Sequence, residues 1–153
     1  MNLTPKLLKR MLNIYPPYLG AGVKVSYISK DWREIHVSMS LRWFNRNAVG
    51  THFGGSLYSM IDPHIMLLLM QLLGDKYVVW DKAAEINFIK ASKKKVTSTI
   101  RVTDEDLKNI YENTNKGEKY FSEFMVDIRD ENNNLIASIK KILYIKLKDF
   151  TRV

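Results

Sequence analysis

The sequence contains no cysteine. That excludes a disulfide scaffold, a thiol nucleophile and any thiolate-ligated zinc or iron–sulfur site, and it suits a reducing cytoplasm, the expected location. Histidine is scarce: His36, His52 and His64 are the three. No two of them fall at the spacing of a metal-binding helix, so no metal site is expected. Glycine-rich phosphate loops are missing too, with neither G-x-G-x-x-G nor a P-loop. Gly55-Ser56-Leu57 does not extend to G-x-S-x-G, so Ser56 reads as a helix-start residue rather than a nucleophile on a strained elbow. Residues 65–73 are the most apolar stretch, about half of the roughly 20 residues a membrane span requires. The basic N-terminus lacks the uninterrupted apolar core of a secretory leader. Repeats, linkers and low-complexity tracts are absent as well, and no membrane span is expected.

What remains is an ordinary globular composition. The 153 residues are 46% hydrophobic and 26% charged, enough to build one domain with its own core. There are 24 Lys+Arg against 16 Asp+Glu, a net charge of +8. Such a surface favours anionic partners without choosing among them. Lys90, Lys93, Lys94 and Lys95 form a dense basic cluster between two strands. An RNA platform would also need exposed aromatics on neighbouring strands. A solvated turn is the simpler reading, and no nucleic-acid partner is expected.

Periodicity gives the element order. Thr4-Pro5 opens a helix, with Thr as N-cap and Pro in the first turn. Leu8, Met11, Leu12 and Tyr15 supply its apolar stripe, and Pro16-Pro17 ends it. Residues 22–29 and 35–41 read as strands, the second alternating Ile35, Val37, Met39 and Leu41 against polar neighbours. Residues 42–53 have no clear period. Gly54-Gly55 leads into an apolar helix ending near Gly74. Strands follow at 77–90 and 96–102. Thr103 caps a short helix with Asp104, Glu105 and Asp106 at its positive end and Leu107, Ile110 and Tyr111 on its apolar face. Residues 120–129 and 135–148 form a hairpin around the turn at 130–134. The reading is α+β: a curved, largely antiparallel sheet wrapped around a central apolar helix.

Residues 47–62 carry the chemistry. Two glycines at a helix start let a ligand approach the backbone. The first helical amides have no intrahelical acceptor and suit an oxygen that gains negative charge. With the helix starting near Gly55, Asp62 lies about two turns along. A carboxylate in an apolar stretch needs a partner or a role, and Asp62 is placed to act as base or nucleophile. The competing reading is that Asp62-Pro63 starts a new helix, with Asp62 only its N-cap.

The pattern Asn47…Gly54-Gly55…Asp62 resembles that of hotdog-fold thioesterases of the phenylacetic-acid-pathway type. Their motif has Asn, then His-Gly-Gly entering the central helix, then Asp seven residues after the second Gly. The run 84–90 resembles the strand that follows. A closer resemblance is to a hotdog-like family of unknown function, through residues 41–47, 50–56 and 79–85. In the gap-free match Phe53 occupies the position of the motif's His, and His52 falls one residue early.

The resemblance implies a single hotdog domain over 1–153 with an N-terminal helical extension. It implies a homodimer or dimer of dimers and an acyl-CoA or related thioester as substrate, with coenzyme A part of the substrate and no separate cofactor. It implies that the Gly55 amide, with Ser56, polarises the thioester carbonyl. Asp62 of the facing subunit would activate water or attack directly, Asn47 would position water or thioester, and His52 joins the candidate catalytic set. Phe53, Gly54 and Ser56 would contact substrate, and Lys90 and Lys93–Lys95 are candidates for the coenzyme A phosphates. The N-terminal helix and the helix after Thr103 would cover one end of the acyl pocket, where Leu12, Tyr15 or Tyr111 would limit chain length. Two other readings stay open: a non-catalytic hotdog that binds an acyl ligand, and a hotdog dehydratase or hydratase.

Overall fold

A computed structural model describes residues 3–148. The other residues of the expected domain, 1–2 and 149–153, lie outside the described residues. Thr4 caps helix α1 (Pro5–Ile14), its hydroxyl accepting the Leu7 amide at 3.2 Å. Only Leu8 and Leu12 of the expected stripe are buried, whereas Met11 and Tyr15 are exposed. Pro16-Pro17 does more than stop the chain. It opens a second helix, α2 (Pro16–Ala21), because proline's fixed φ and missing N–H suit a first helical turn. Gly22 closes α2 at φ +78°, a left-handed conformation that favours glycine.

Six strands form one antiparallel sheet in the order β1 (Val23–Ile28), β2 (Glu34–Met39), β4 (Val96–Arg101), β5 (Lys119–Asp130), β6 (Leu135–Leu147) and β3 (Tyr77–Phe88). The alternation expected in β4 falls as read, burying Val96, Ser98 and Ile100 and exposing the residues between them, whereas that of β2 ends at Met39 and leaves Leu41 outside the strand. The β5–β6 hairpin closes on Asp130, whose carboxylate accepts the Asn132 and Asn134 amides at 3.0 Å each. Edge strand β1 is covered in part by α1: the Asn13 side chain pairs with both the N–H and the C=O of Val25, at 2.9 Å each. Helix α5 (Asp104–Thr114) carries the expected capping box, Thr103 with Asp106.

The central helix comes in two pieces, α3 (Gly54–Ser59) and α4 (His64–Leu73), joined by a turn at 60–63. The helical run Gly54–Lys76 is long and apolar enough, by length and composition, to cross a membrane. Here it is the core of the fold. Met60, Ile61, Ile65, Leu68 and Leu69 are fully buried against the concave face of the sheet. Full burial of each such side chain contributes about 1.5–3 kcal/mol. This sheet-around-helix arrangement positions two places of interest: the start of α3, and the turn where Asp62 sits.

Candidate active site

The loop before α3 is held by its amide side chains. Asn45 is buried, accepts the Arg42 amide at 2.7 Å, and donates to the carbonyls of Ala21 and Ser40 at 3.1 and 3.0 Å. Asn47 accepts from the amides of Val49 and Thr51 and donates to Thr51 Oγ1 and the His52 carbonyl. Both ends of its amide are therefore engaged within the loop. His52 is buried, and its Nε2 lies 2.8 Å from the Lys94 carbonyl. A carbonyl only accepts, so Nε2 carries the proton. Nδ1 is buried without a partner. His52 thus ties this loop to the basic segment, where Lys90, Lys93, Lys94 and Lys95 are exposed.

The two glycines are crowded by phenylalanine rings. A Cβ on Gly54 would lie 2.8 Å from Cζ of Phe88, and one on Gly55 would collide with the Phe53 ring. The space that glycine leaves is filled by rings that are themselves about half exposed. The Ser56 amide already donates to the Phe53 carbonyl at 3.0 Å. The first amides of α3, at Gly54 and Gly55, precede any intrahelical acceptor. Beside them lies a cavity of about 350 Å³ lined by Asn47, His52, Gly54, Phe88, Lys90 and Ser92, among others. It brings four of the expected residues, Asn47, His52, Gly54 and Lys90, onto one surface. Leu12, Tyr15 and Tyr111 do not line it. A larger hollow of about 690 Å³ lies at the start of α1 and shares no residue with these.

Asp62 is elsewhere. It does not cap α4: Pro63 stands at the N-cap, with no side-chain capping bond. Its Oδ1 accepts the Tyr58 hydroxyl at 2.7 Å and the Lys141 ammonium at 2.9 Å. Lys141 reaches inward from β6, is fully buried, and also lies 2.8 Å from Asp81 Oδ1 on β3. The Asp62 side chain remains 47% exposed. Burial pushes its carboxyl up, but the bonds from Tyr58 and Lys141 outweigh burial and hold it below the usual carboxylate range. For Asp81 burial wins over the same ammonium, and its pKa is raised. The like charge of Asp62 adds to the burial, and the two together outweigh the Lys141 contact. Lys141 is kept charged, because the two carboxylates outweigh its burial.

Next to Asp62, His64 is fully buried with Nε2 3.0 Å from the Tyr18 hydroxyl. Burial drives its pKa down to about 3, so the ring is neutral. Tyr58, Asp81 and Lys141 were not singled out from sequence. The signal for Lys141 was there: it shares a period-two series with Ile139, Leu143 and Ile145, all buried. Among the described residues no cluster of His, Asp and Glu could hold a metal.

The architecture defines the class. The protein has the hotdog fold, an antiparallel sheet curved around a central helix. Solved structures of similar shape include a Pseudomonas aeruginosa protein of unknown function described as a probable thioesterase. It is 14% identical, with a TM-score of 0.81 over 97% of this chain and 99% of that one. A Haemophilus influenzae thioesterase is 16% identical, TM-score 0.69, over 99% and 97%. A Chlorobaculum tepidum protein of unknown function is 15% identical, TM-score 0.73, over 95% and 98%. At these identities the likeness is one of fold. No curated protein matches the sequence. Within the hotdog class, the chain belongs to the family described as Domain of unknown function (DUF4442), whose model matches residues 4–145.

Proposed function

We propose that this protein is a thioester hydrolase acting on an acyl-CoA, cytoplasmic and working as a homodimer or dimer of dimers. One observation carries the reading: Asp62, seven residues past Gly55, is a half-exposed carboxylate that caps nothing. The amides of Gly54 and Gly55 would receive the thioester oxygen as charge develops on it. Asp62 would take a proton from water as the water oxygen attacks the carbonyl carbon. The C–S bond then breaks, and the proton passes to the departing thiolate. Direct attack by the carboxylate, with hydrolysis of the resulting anhydride, is the other route the same geometry allows.

Within one chain the two halves cannot meet. Asp62 lies in the turn after α3 and does not line the cavity beside Gly54, so one chain does not bring helix start and carboxylate to the same pocket. A two-fold partner resolves this by laying the helix start of one copy beside Asp62 of the other. Edge strand β3 supports that arrangement: among the described residues its 12 positions face β6 alone, and Trp80 and Phe88 are exposed. Lys90 at the cavity, with Lys93–Lys95 nearby in sequence, would meet the coenzyme A phosphates. Asn47 and His52 would act by holding the loop that forms the cavity wall.

The rings of Phe53 and Phe88 over the glycines favour a second reading, an acyl-CoA binder without turnover. Thiol release from short, aromatic and long acyl-CoAs separates the two, with Asp62→Asn beside wild type. Turnover that falls at least about 100-fold in a variant of unchanged Tm supports the hydrolase. Acyl-CoA that raises the Tm of both proteins without releasing thiol supports the binder.

A further inference from the structure

Lys141 occupies a place where the sheet calls for an apolar side chain. Its neighbours along the inward face of β6, Ile139, Leu143 and Ile145, are fully buried, and so is Lys141 itself. Removing an ammonium from water is expensive, and a buried ion pair is seldom a better source of stability than a well-packed hydrophobe. Yet every donor on this ammonium has an oxygen in reach: Asp62 Oδ1 at 2.9 Å, Asp81 Oδ1 at 2.8 Å and Tyr58 Oη at 3.2 Å. The Tyr58 ring also lies 5.4 Å from Nζ. Three elements and the turn at 60–63 converge on this one nitrogen.

The arrangement at Asp62 is lopsided. Tyr58 and Lys141 both donate to Oδ1. Oδ2 accepts no hydrogen bond from the described residues, and the side chain is half exposed. One oxygen is pinned from behind while the other is presented outward. We infer that Lys141 is a positioning residue of the acyl site, fixing Asp62 through Oδ1 and holding it as an anion with Oδ2 free to act. This rests on the reading of Asp62 as the group that acts on the thioester. Asp81 tethers the ammonium from the far side.

The charge logic follows from the neighbours. Lys141 faces Asp62 from β6 and Tyr58 faces it from α3; both favour the carboxylate. Asp81 on β3 opposes it as a like charge. His64 at the start of α4 and Tyr18 on α2 face it as neutral groups. An opposite charge at this range lowers a carboxyl pKa by about one to three pH units. Without Lys141, Asp62 and Asp81 would titrate as a pair of like charges, one of them pushed well up. Asp62 would then be a weaker general base at mildly acidic pH, because a growing share of it already carries the proton it must otherwise take from water.

The test measures the charge on Asp62 directly. Carboxyl ¹³C NMR titration, assigned against Asp62→Asn, is run on wild type, Lys141→Met and Lys141→Gln, alongside the pH profile of kcat/KM for acyl-CoA. The Asp62 midpoint is expected below the ordinary value of about 3.9 in wild type. It should rise by at least about one pH unit in Lys141→Met and in Lys141→Gln. The acid limb of the rate profile should move with it. A folded Lys141→Met variant with an unmoved midpoint overturns the inference. If Lys141→Met does not fold, Lys141→Gln decides: a polar but uncharged side chain there should raise the midpoint as well, and an unmoved midpoint overturns the inference. If wild type releases no thiol, the hydrolase reading fails, while the NMR midpoints still decide whether Lys141 sets the charge on Asp62.

Discussion

Gly22 and Asn45 should be energetically coupled, and the structure gives the size of the effect. Gly22 sits at φ +78°, and a Cβ there would collide with Nδ2 of Asn45. That same nitrogen donates to the carbonyls of Ala21 and Ser40 and anchors the loop that carries Asn47 and His52. Gly22→Ala should therefore lose stability twice. The left-handed backbone costs an alanine about 1–2 kcal/mol. Displacing the Asn45 amide forfeits two hydrogen bonds of about 0.5–1.5 kcal/mol each. The sum is about 2–5 kcal/mol. Gly50→Ala isolates the first part, because Gly50 has φ +80° but open space where its Cβ would go; it should cost only about 1–2 kcal/mol. In Gly22→Ala/Asn45→Ala there is no amide left to displace, so the double variant should cost less than the sum of the singles by about 1–3 kcal/mol. Urea unfolding with unchanged m gives all four values. Additivity within about 0.5 kcal/mol, or equal costs at Gly22 and Gly50, would refute the argument that Asn45 and Gly22 hold the loop jointly.

Buried neutral His64 should make the fold acid-sensitive. Its folded pKa of about 3 lies under its ordinary 6.5, so between those limits the unfolded chain binds the extra proton. Stability should then fall as pH drops through this window, by up to about 1.4 kcal/mol per pH unit. Urea midpoints from pH 6.5 to 4.5 should decline less steeply for His64→Gln than for wild type; parallel curves would show that His64 is not the source. Phe53→Ala should open the space beside Gly55 at little cost, within about 1 kcal/mol, since the ring is half exposed. Acyl-CoA affinity, read by calorimetry, should rise several-fold, and an unchanged Kd would mean that the thioester does not settle over Gly55.

The sequence revealed the strands well because their periodicity is local. Val96, Ser98 and Ile100 alternate with exposed neighbours, and they are buried as that alternation requires. The double proline was harder to read: it can end one helix or begin another, and here the chain turns at Tyr15 and α2 begins at Pro16. For Asp62, local chemistry allowed a cap or a functional carboxylate. Pro63 at the N-cap of α4 excludes the cap, and the side chain pairs instead with a lysine 79 residues further along, a range that no local pattern carries. Lys141 is hidden in the same way, since Lys140-Lys141 looks like an ordinary charged pair on a strand. Only the register separates them: Lys140 points out to Glu123 at 2.8 Å, and Lys141 points in. Asp81 adds a further obstacle. The β3–β6 register shifts between Asp81 and Ala83, so alternation counted from Ala84, Ile86 and Phe88 loses phase before it reaches Asp81.

The glycine pair bears on whether the site is open. Glycines at a helix start are usually read as room for a ligand, but here that room is occupied by Phe53 and Phe88. The two rings come from different places, one from the residue before the helix and one from the end of edge strand β3. Phe88 pairs with Ala137 on one side of its strand, while on the other side no strand among the described residues pairs with it, and a second copy would add there. A partner docking there would approach the ring over Gly54 directly. Its Asp62 would arrive at the same helix start. Completing the site and clearing its glycines would then be consequences of one association, which makes the concentration dependence of activity as informative as any substitution. Turnover per chain that falls on dilution, in step with dissociation of the dimer, is the expected result; turnover that persists in a monomer would require a single chain to bring Asp62 from the turn after α3 to the cavity at Gly54, which it does not line.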